Sequence, residues 1–174
     1  TWGAALGAQT EHLGAYQGHG NVAHPHGILI TWATMTEGGF QVNLHGRRFW
    51  DESQGYSEAA QAVMAQPGGA AWAIFDSRIA DIAAQFQDFR DAQAAGAVRQ
   101  ADTMAELAET LGLPADALAQ TLADIPTEGV DAFGRMFGGK TLRAPYCGVR
   151  VTGALFHTQG GLKTDAQARV VQQS

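Results

Sequence analysis

The stretch Gly153–Asp165 reads Gly-Ala-Leu-Phe-His-Thr-Gln-Gly-Gly-Leu-Lys-Thr-Asp, and the interpretation of the whole chain is built around it. An apolar run leads into one histidine, His157, and a Thr-Gln-Gly-Gly segment follows at once. The pattern predicts a strand that ends in a turn, because Gly160 and Gly161 can adopt positive φ and let a ligand approach the backbone. A histidine beside such a turn can donate a hydrogen bond or a proton to a substrate. The alternative is a strand end at which His157 is simply exposed to solvent.

Two further blocks lie upstream of this stretch. Residues 38–52 contain Gly-Gly-Phe-Gln-Val-Asn, then Gly-Arg-Arg-Phe, then Asp-Glu, and residues 17–19 read Gln-Gly-His. Together with His-Thr-Gln-Gly-Gly-Leu, these blocks resemble the motifs of one FAD-dependent oxidoreductase family. That family includes soluble fumarate reductases, the flavoprotein subunits of succinate dehydrogenase, and 3-ketosteroid dehydrogenases. The blocks occur in the family's order and cover most of the chain.

The resemblance maps this chain onto the family's substrate-side capping domain. The FAD domain of the family begins with Gly-x-Gly-x-x-Gly on a strand–turn–helix unit, and we find no such unit here. Gly18–Ala23 matches Gly-x-Gly-x-x-Ala by letter, but no apolar strand precedes it and His24-Pro25-His26 follows where a helix should start. We therefore expect residues 1–174 to be one capping domain, a fragment without the FAD-binding domain.

The resemblance also implies the site residues. His157 matches the family's substrate-binding histidine, and His19 matches a second substrate-contacting histidine. Tyr56 falls four residues after Glu52, where soluble fumarate reductases carry a proton-donating arginine. Glu-Ser-x-x-Tyr at this point is similar to the ketosteroid dehydrogenases, in which the tyrosine takes a proton from the substrate. The predicted catalytic residues are thus Tyr56 and His157, and the predicted substrate-binding residues are His19 and His157.

The family's reaction moves a hydride between flavin and a C–C bond that a carbonyl or carboxylate activates. The resemblance therefore implies FAD as cofactor, a small-molecule substrate, and the FAD-binding domain of the same polypeptide as partner. Gly160 and Gly161 would let the backbone approach the flavin or the substrate. We expect the full-length protein to be the enzyme, and this fragment alone to bind no FAD and to be inactive. The alternative is a non-catalytic binding module that keeps the fold without redox chemistry.

Composition excludes several other classes of protein. The chain has 174 residues and a net charge of -6, which argues against a nucleic-acid-binding surface. No apolar run approaches the roughly 18 residues of a membrane span. We expect a cytoplasmic protein, or a periplasmic one if the full-length protein carries a signal. The single cysteine, Cys147, cannot form an internal disulfide and is predicted to be a small buried apolar residue.

The N-terminal histidines suggest a third hypothesis, a metal-dependent hydrolase. His12, His19, His24 and His26 lie close in sequence, but Pro25 separates the last pair and no helical or hairpin ligand spacing is present. We therefore predict no metal site.

The secondary-structure pattern predicts an α+β fold, a small mainly antiparallel sheet flanked by helices. Strands are predicted at Ile28–Thr34, at Phe40–His45 in a hairpin with Arg47–Trp50, and at Ala71–Phe75. A helix with Ser57 as its N-cap, one amphipathic helix at Arg78–Gln93, and a helix pair joined at Leu113–Pro114 are predicted between the two main blocks. An extended segment at Leu142–Thr152 leads to His157.

Overall fold

The computed structural model describes residues 2–173, which form two compact units. The smaller unit comprises the residues up to Gly18 together with those from Leu155 onward, and the larger unit is His19–Ala154. The fold is α+β with a mainly antiparallel sheet, as the sequence predicts. No helix among the described residues is both long and apolar enough to cross a lipid bilayer.

The main sheet has six strands, and its central strand is the longest. The strands are β2 Tyr16–Ala23, β3 Ile28–Leu29, β4 Phe40–Val42, β5 Ala70–Asp76, β6 Val98–Ala101 and β7 Tyr146–Thr158. Their order is β3-β2-β7-β5-β4, and β6 also pairs with β7. Both β5 and β6 run antiparallel to β7, with Ala73 and Val98 each opposite Val149. Val149 and Val151, which lie on the same face of β7, are fully buried, so this face of β7 packs in the core.

Short helices cover this sheet. They are α2 Ala33–Thr36, α3 Tyr56–Met64, α4 Ser77–Ala83, α5 Gln87–Ala94, α6 Met104–Leu111 and α7 Ala115–Ala123, with 3-10 turns at Glu52–Gln54 and Pro67–Gly69. The Thr103 hydroxyl accepts from the Glu106 N–H at 3.2 Å, and Glu106 reaches back to the Thr103 N–H, which is a capping box. The predicted single helix at Arg78–Gln93 is wrong, since it breaks between α4 and α5 and leaves Phe86 50% exposed.

The region before Trp50 differs from the predicted hairpin. The predicted strand at Ile28–Thr34 ends at Leu29, and α2 follows it. Strand β4 pairs with β5 rather than with Arg47–Trp50, with Gln41 opposite Ala73. All three residues of β4 are buried, whereas alternation predicts that Gln41 faces solvent. Packing on both faces of this strand therefore overrides the period of two that the sequence shows.

A buried ionic cluster joins two segments of the larger unit that are distant in sequence. The Arg48 guanidinium binds the Glu52 and Asp131 carboxylates, and Arg135 Nη1 lies 3.0 Å from Glu52 Oε2. These four side chains are each 6% exposed or less. Their two positive and two negative charges balance, so the cluster is buried without a net charge. The carboxyl pKa of Asp131 is lowered, because hydrogen bonds from Arg48 and from backbone N–H groups outweigh the desolvation that opposes them.

Further contacts hold the arginines of the cluster. Arg48 stacks over Phe133 at 5.0 Å, and Arg135 lies 4.0 Å from the ring centre of Phe137. Arg135 also donates to the Met35 carbonyl at 2.7 Å. Because hydrogen bonds and aromatic faces surround the charges, removal of one partner leaves an uncompensated buried ion.

The smaller unit has little hydrophobic core. It contains α1 Trp2–Ala5 and a two-stranded sheet in which β1 Thr10–Glu11 pairs with β8 Gly161–Leu162. Ala8 is its one buried apolar residue among those the structure describes. Many of its large apolar side chains are exposed, namely Trp2, Leu6, Leu13, Tyr16, Leu155, Phe156, Leu162 and Val170. The Ala- and Gly-rich sequence up to Ala15, with Leu6 and Leu13, predicts the end of a helix. That prediction is wrong beyond Ala5, where α1 ends.

We predict that Glu52→Gln destabilises the larger unit by about 3–5 kcal/mol, because Arg48 and Arg135 lose the carboxylate they share. Urea unfolding followed by circular dichroism measures this change in the free energy of unfolding. The matched control is Glu37→Gln, whose carboxylate is 33% exposed and lies 3.7 Å from Arg78. This control should cost less than about 1 kcal/mol. Equal effects of the two substitutions would contradict a dominant role for the buried cluster.

Candidate active site

The structure brings two of the predicted site residues, His19 and Tyr56, into direct contact. Their rings stack with centroids 4.8 Å apart and planes inclined by 15°. Trp32 meets both rings edge-on, at 5.9 Å from His19 and 6.4 Å from Tyr56. Trp50 lies behind Trp32, with centroids 6.3 Å apart. The result is an aromatic cluster in the larger unit, and sequence reasoning did not anticipate its two tryptophans.

His19 is held as a neutral imidazole. It lies on β2 and is only 3% exposed, and this burial lowers its pKa from 6.5 to about 4. The backbone N–H of Asn21 donates to His19 Nδ1 at 3.2 Å. Since Nδ1 accepts, the single ring proton sits on Nε2. The ring is therefore an uncharged imidazole at neutral pH rather than a cation.

Tyr56 is placed by the turn that precedes it. The Asp51 side chain accepts from the Ser53 N–H at 2.8 Å and starts the 3-10 turn Glu52–Gln54. Gly55 follows with φ of 112°, a conformation that favours glycine. Helix α3 then begins at Tyr56, so the predicted N-cap Ser57 is wrong, because Gly55 occupies that position.

A close approach of α3 to β2 sets the distance between the two rings. A side chain at Gly20 would overlap the backbone of Ala59 in α3. Farther along the helix, a Cβ at Gly153 would lie 2.7 Å from the Ala60 carbonyl oxygen. These two glycines let the first turns of α3 lie directly against the sheet. The close packing of His19 against Tyr56 depends on this approach.

His157 belongs to the smaller unit, and its predicted role as the second catalytic residue beside Tyr56 stays a prediction. His157 is exposed near the end of β7, and its ring lies 4.2 Å from that of Phe156. The Gln159 N–H, just beyond the strand, donates to the Ala15 carbonyl at 2.9 Å. The segment after His157 is thus anchored within its own unit.

The two glycines after His157 differ in what surrounds them. Neither glycine has the positive φ that the sequence predicts. Gly161 instead begins strand β8, which pairs with β1. A side chain at Gly160 would overlap the carbonyl oxygen of His12, so the absence of a side chain there serves the packing of the chain. Nothing lies within 4 Å of a Cβ placed on Gly161. Gly161 therefore has the open backbone that a close ligand approach requires.

The described residues do not fit the pyrophosphate part of FAD. Such a group is usually held by a glycine-rich turn between a strand and a helix N-terminus. The letter match at Gly18–Ala23 lies within the extended strand β2, and a turn leads from it into β3 rather than into a helix. Residues 2–173 thus lack this cradle.

Two other candidate groups carry no site. Within residues 2–173, no group of three or more His, Cys, Asp or Glu side chains is arranged to hold a metal ion. Cys147 is buried on β7, and desolvation is the main cause that raises its thiol pKa to about 11. A thiol with so high a pKa is a poor nucleophile.

Comparison with known proteins places the chain among flavoproteins. Residues 2–174 match the family described as FAD binding domain. A probable fumarate reductase of Shewanella frigidimarina is 30% identical over 171 residues, which cover 95% of this chain and 29% of the relative. The 3-oxosteroid 1-dehydrogenase of Mycobacterium tuberculosis is 30% identical over 181 residues, covering 81% of this chain and 32% of the relative.

A solved structure agrees with these matches. The open conformation of a flavocytochrome c3 fumarate reductase superposes with a TM-score of 0.77 at 29% identity, covering 98% of this chain and 30% of that one. This chain therefore spans about a third or less of the length of these relatives. The flavoprotein relatives support FAD as the cofactor. Because the family match covers residues 2–174, the chain belongs to the FAD-binding domain family of flavoprotein oxidoreductases.

Proposed function

We propose that this chain is the substrate-side capping domain of an FAD-dependent oxidoreductase. The full-length enzyme would move a hydride between flavin and a C–C bond that a carbonyl or carboxylate activates. The observation that carries the proposal is the stack of His19 on Tyr56 at 4.8 Å, beside a wall formed by Trp32. By the motif resemblance, both residues fall at substrate-contacting positions of the family, and the fold brings them together although they lie 37 positions apart in sequence.

Tyr56 is the proposed proton carrier. Its hydroxyl would exchange a proton with the substrate carbon next to the one that exchanges the hydride. The phenol belongs to the first residue of α3, so the start of this helix sets its position. His19 packs parallel to the phenol ring and fixes its orientation.

The neutral state of His19 favours a carbonyl substrate over a dicarboxylate. A neutral imidazole donates a hydrogen bond through Nε2 but provides no positive charge to pair with a carboxylate. The buried arginines of the nearby ionic cluster, Arg48 and Arg135, already have carboxylate partners. A cyclic ketone substrate carries no charge, so it suits an aromatic wall of this kind. His157, which lies in the smaller unit, remains a proposed substrate-binding residue.

The FAD-bearing part of the same polypeptide is the proposed partner. Large apolar side chains of the smaller unit are exposed, for example Trp2 at 93%, Leu6 at 80% and Leu155 at 73%. A contiguous apolar patch marks a surface that another body covers, and we propose that these side chains form one. The relatives are about three times as long as this chain, which is consistent with such a body. We propose that it holds the adenosine and pyrophosphate of FAD.

A substrate screen of the full-length protein tests the proposal. Ring ketones and dicarboxylates should be offered with an artificial electron acceptor in one series and with a reduced donor in the other. We expect turnover with ring ketones. Absence of turnover with every activated C–C bond, in protein that holds FAD, would favour the non-catalytic binding module.

We predict that Tyr56→Phe in the full-length protein lowers kcat by at least about 100-fold, because the proton carrier is lost while the ring that packs on His19 remains. KM should change little. Steady-state kinetics measure both constants. Tyr146→Phe, which removes a hydroxyl at the start of β7, is the matched control and should keep wild-type kcat. Unchanged kcat in Tyr56→Phe would refute its role.

We predict that the chain loses stability as the pH falls from 6.5 towards 4, because unfolded His19 binds a proton that folded His19 excludes. Above pH 6.5 this contribution is fully present. Between about pH 7 and about pH 4.5 the expected loss from this group is roughly 2 kcal/mol. Urea unfolding at both pH values measures it. In His19→Gln the free energy of unfolding should fall less over this pH range. The same pH dependence as in the wild type would show that His19 is not held neutral.

We predict that Gly161→Ala leaves stability nearly unchanged, because its Cβ meets no atom within 4 Å and φ is ordinary. If flavin or substrate approaches this backbone, kcat/KM of the full-length enzyme should fall at least about tenfold. Gly160→Ala provides the contrast, since its Cβ would overlap the His12 carbonyl and lower the melting temperature. Wild-type kcat/KM in Gly161→Ala would remove this glycine from the site.

A further inference from the structure

We propose that Gln41 is a positioning residue, which fixes the tautomer of His19 and its place relative to Tyr56. The consequence for turnover rests on the proposed function, whereas the effect on His19 does not. Gln41 lies on β4 and is fully buried. Burying an amide costs free energy unless its polar atoms form hydrogen bonds. The partners of Gln41 therefore show which segments this side chain holds in place.

The side chain of Gln41 bonds to β2 immediately after His19. Its Nε2 donates to the Gly20 carbonyl at 2.9 Å and to Asn21 Oδ1 at 3.3 Å. Its Oε1 accepts from the Trp50 indole N–H at 3.0 Å. An indole nitrogen can only donate, so only one of the two orientations of this amide satisfies all three contacts. Gln41 is therefore locked in a single orientation.

Asn21 carries this constraint to His19. Its Nδ2 donates to the Ile30 carbonyl at 3.1 Å and to Thr34 Oγ1 at 3.1 Å, while its Oδ1 faces Gln41. With both ends of the amide held, Asn21 keeps its backbone N–H directed at His19 Nδ1. That bond places the ring proton on Nε2. Gln41 thus acts on the imidazole through Asn21 and the Gly20 carbonyl.

The same residue is also bonded to the turn that delivers Tyr56. The Gln41 backbone N–H donates to Glu52 Oε1 at 2.9 Å. Glu52 begins the 3-10 turn that leads through Gly55 to Tyr56. Gln41 is therefore linked to β2 beside His19 by its side chain and to the Tyr56 turn by its backbone. A rigid link of this kind holds reacting groups to the precision that catalysis needs.

The test replaces the amide and reads the tautomer of His19 directly. Gln41→Leu in the full-length protein removes the three side-chain hydrogen bonds. We expect the ¹⁵N spectrum of His19 to change from a single Nε2–H form to a mixture of tautomers. We also expect kcat/KM to fall about 10- to 100-fold. Thr121→Val is the matched control, because it removes a buried hydrogen bond of 2.7 Å to the Gly46 carbonyl outside the aromatic cluster. Thr121→Val should lose about as much stability as Gln41→Leu, and it should keep the wild-type His19 tautomer and the wild-type kcat/KM.

Gln41→Glu provides a second variant should Gln41→Leu fail to fold. A buried carboxyl has a raised pKa, and its protonated form can donate to the Gly20 carbonyl as the amide does. We expect kcat/KM, relative to wild type at the same pH, to recover as the pH is lowered. A flat ratio would overturn the hydrogen-bonding role.

The outcomes separate this inference from the proposed function. An unchanged His19 tautomer together with wild-type kcat/KM in Gln41→Leu overturns the positioning role, even if Tyr56→Phe abolishes turnover. A changed tautomer in Gln41→Leu supports the positioning role even if Tyr56→Phe keeps full activity, and that second result refutes only the proposed function.

Discussion

The buried carboxylate of Glu52 is the constraint on which the larger unit depends. It is shared by Arg48 and Arg135, and its Oε1 also accepts the backbone N–H of Gln41. A charge in the interior is tolerated only when hydrogen bonds and opposite charges replace the water it has lost. That requirement fixes the turn before Tyr56, the loop that carries Asp131 and Arg135, and strand β4 with respect to one another.

The candidate site is an extension of this polar interior. From Glu52 the hydrogen bonds run through Gln41 to Asn21, and from Asn21 to His19. The histidine therefore has a defined tautomer, and its burial keeps it neutral. Close contact between α3 and β2, made possible by Gly20, then brings Tyr56 onto the imidazole. The result is the aromatic cluster on which we propose that a carbonyl substrate binds.

The two units differ in how they are stabilised. The larger one has a continuous core around β7, which includes Phe75, Val149 and Leu107. The smaller one leaves its large apolar side chains exposed and buries only Ala8 among its described apolar residues.

Local sequence signals were sufficient for features that depend on neighbouring residues. The α+β class and the strand predicted at Ala71–Phe75, observed as Ala70–Asp76, follow from hydrophobic runs. The motif order also identified the flavoprotein family. Its assignment of His19 and Tyr56 to the site stays a prediction, although the two rings are in contact. The predicted ends of helices were wrong at two places. Gly55 rather than Ser57 caps α3, and the helix predicted at Arg78–Gln93 breaks after α4.

The roles of Gln41 and Trp32 were not visible in the linear pattern. Gln41 lies at a position that strand alternation assigns to solvent, and it is buried because other elements cover both faces of β4. Glu52 and Arg135 are 83 residues apart, so no local rule pairs them. Residue type and spacing thus determine which chemical groups and which family the chain has. Burial and hydrogen bonding between distant segments determine which groups are neutral, which are paired and which face a substrate, because desolvation depends on the packing of the whole unit.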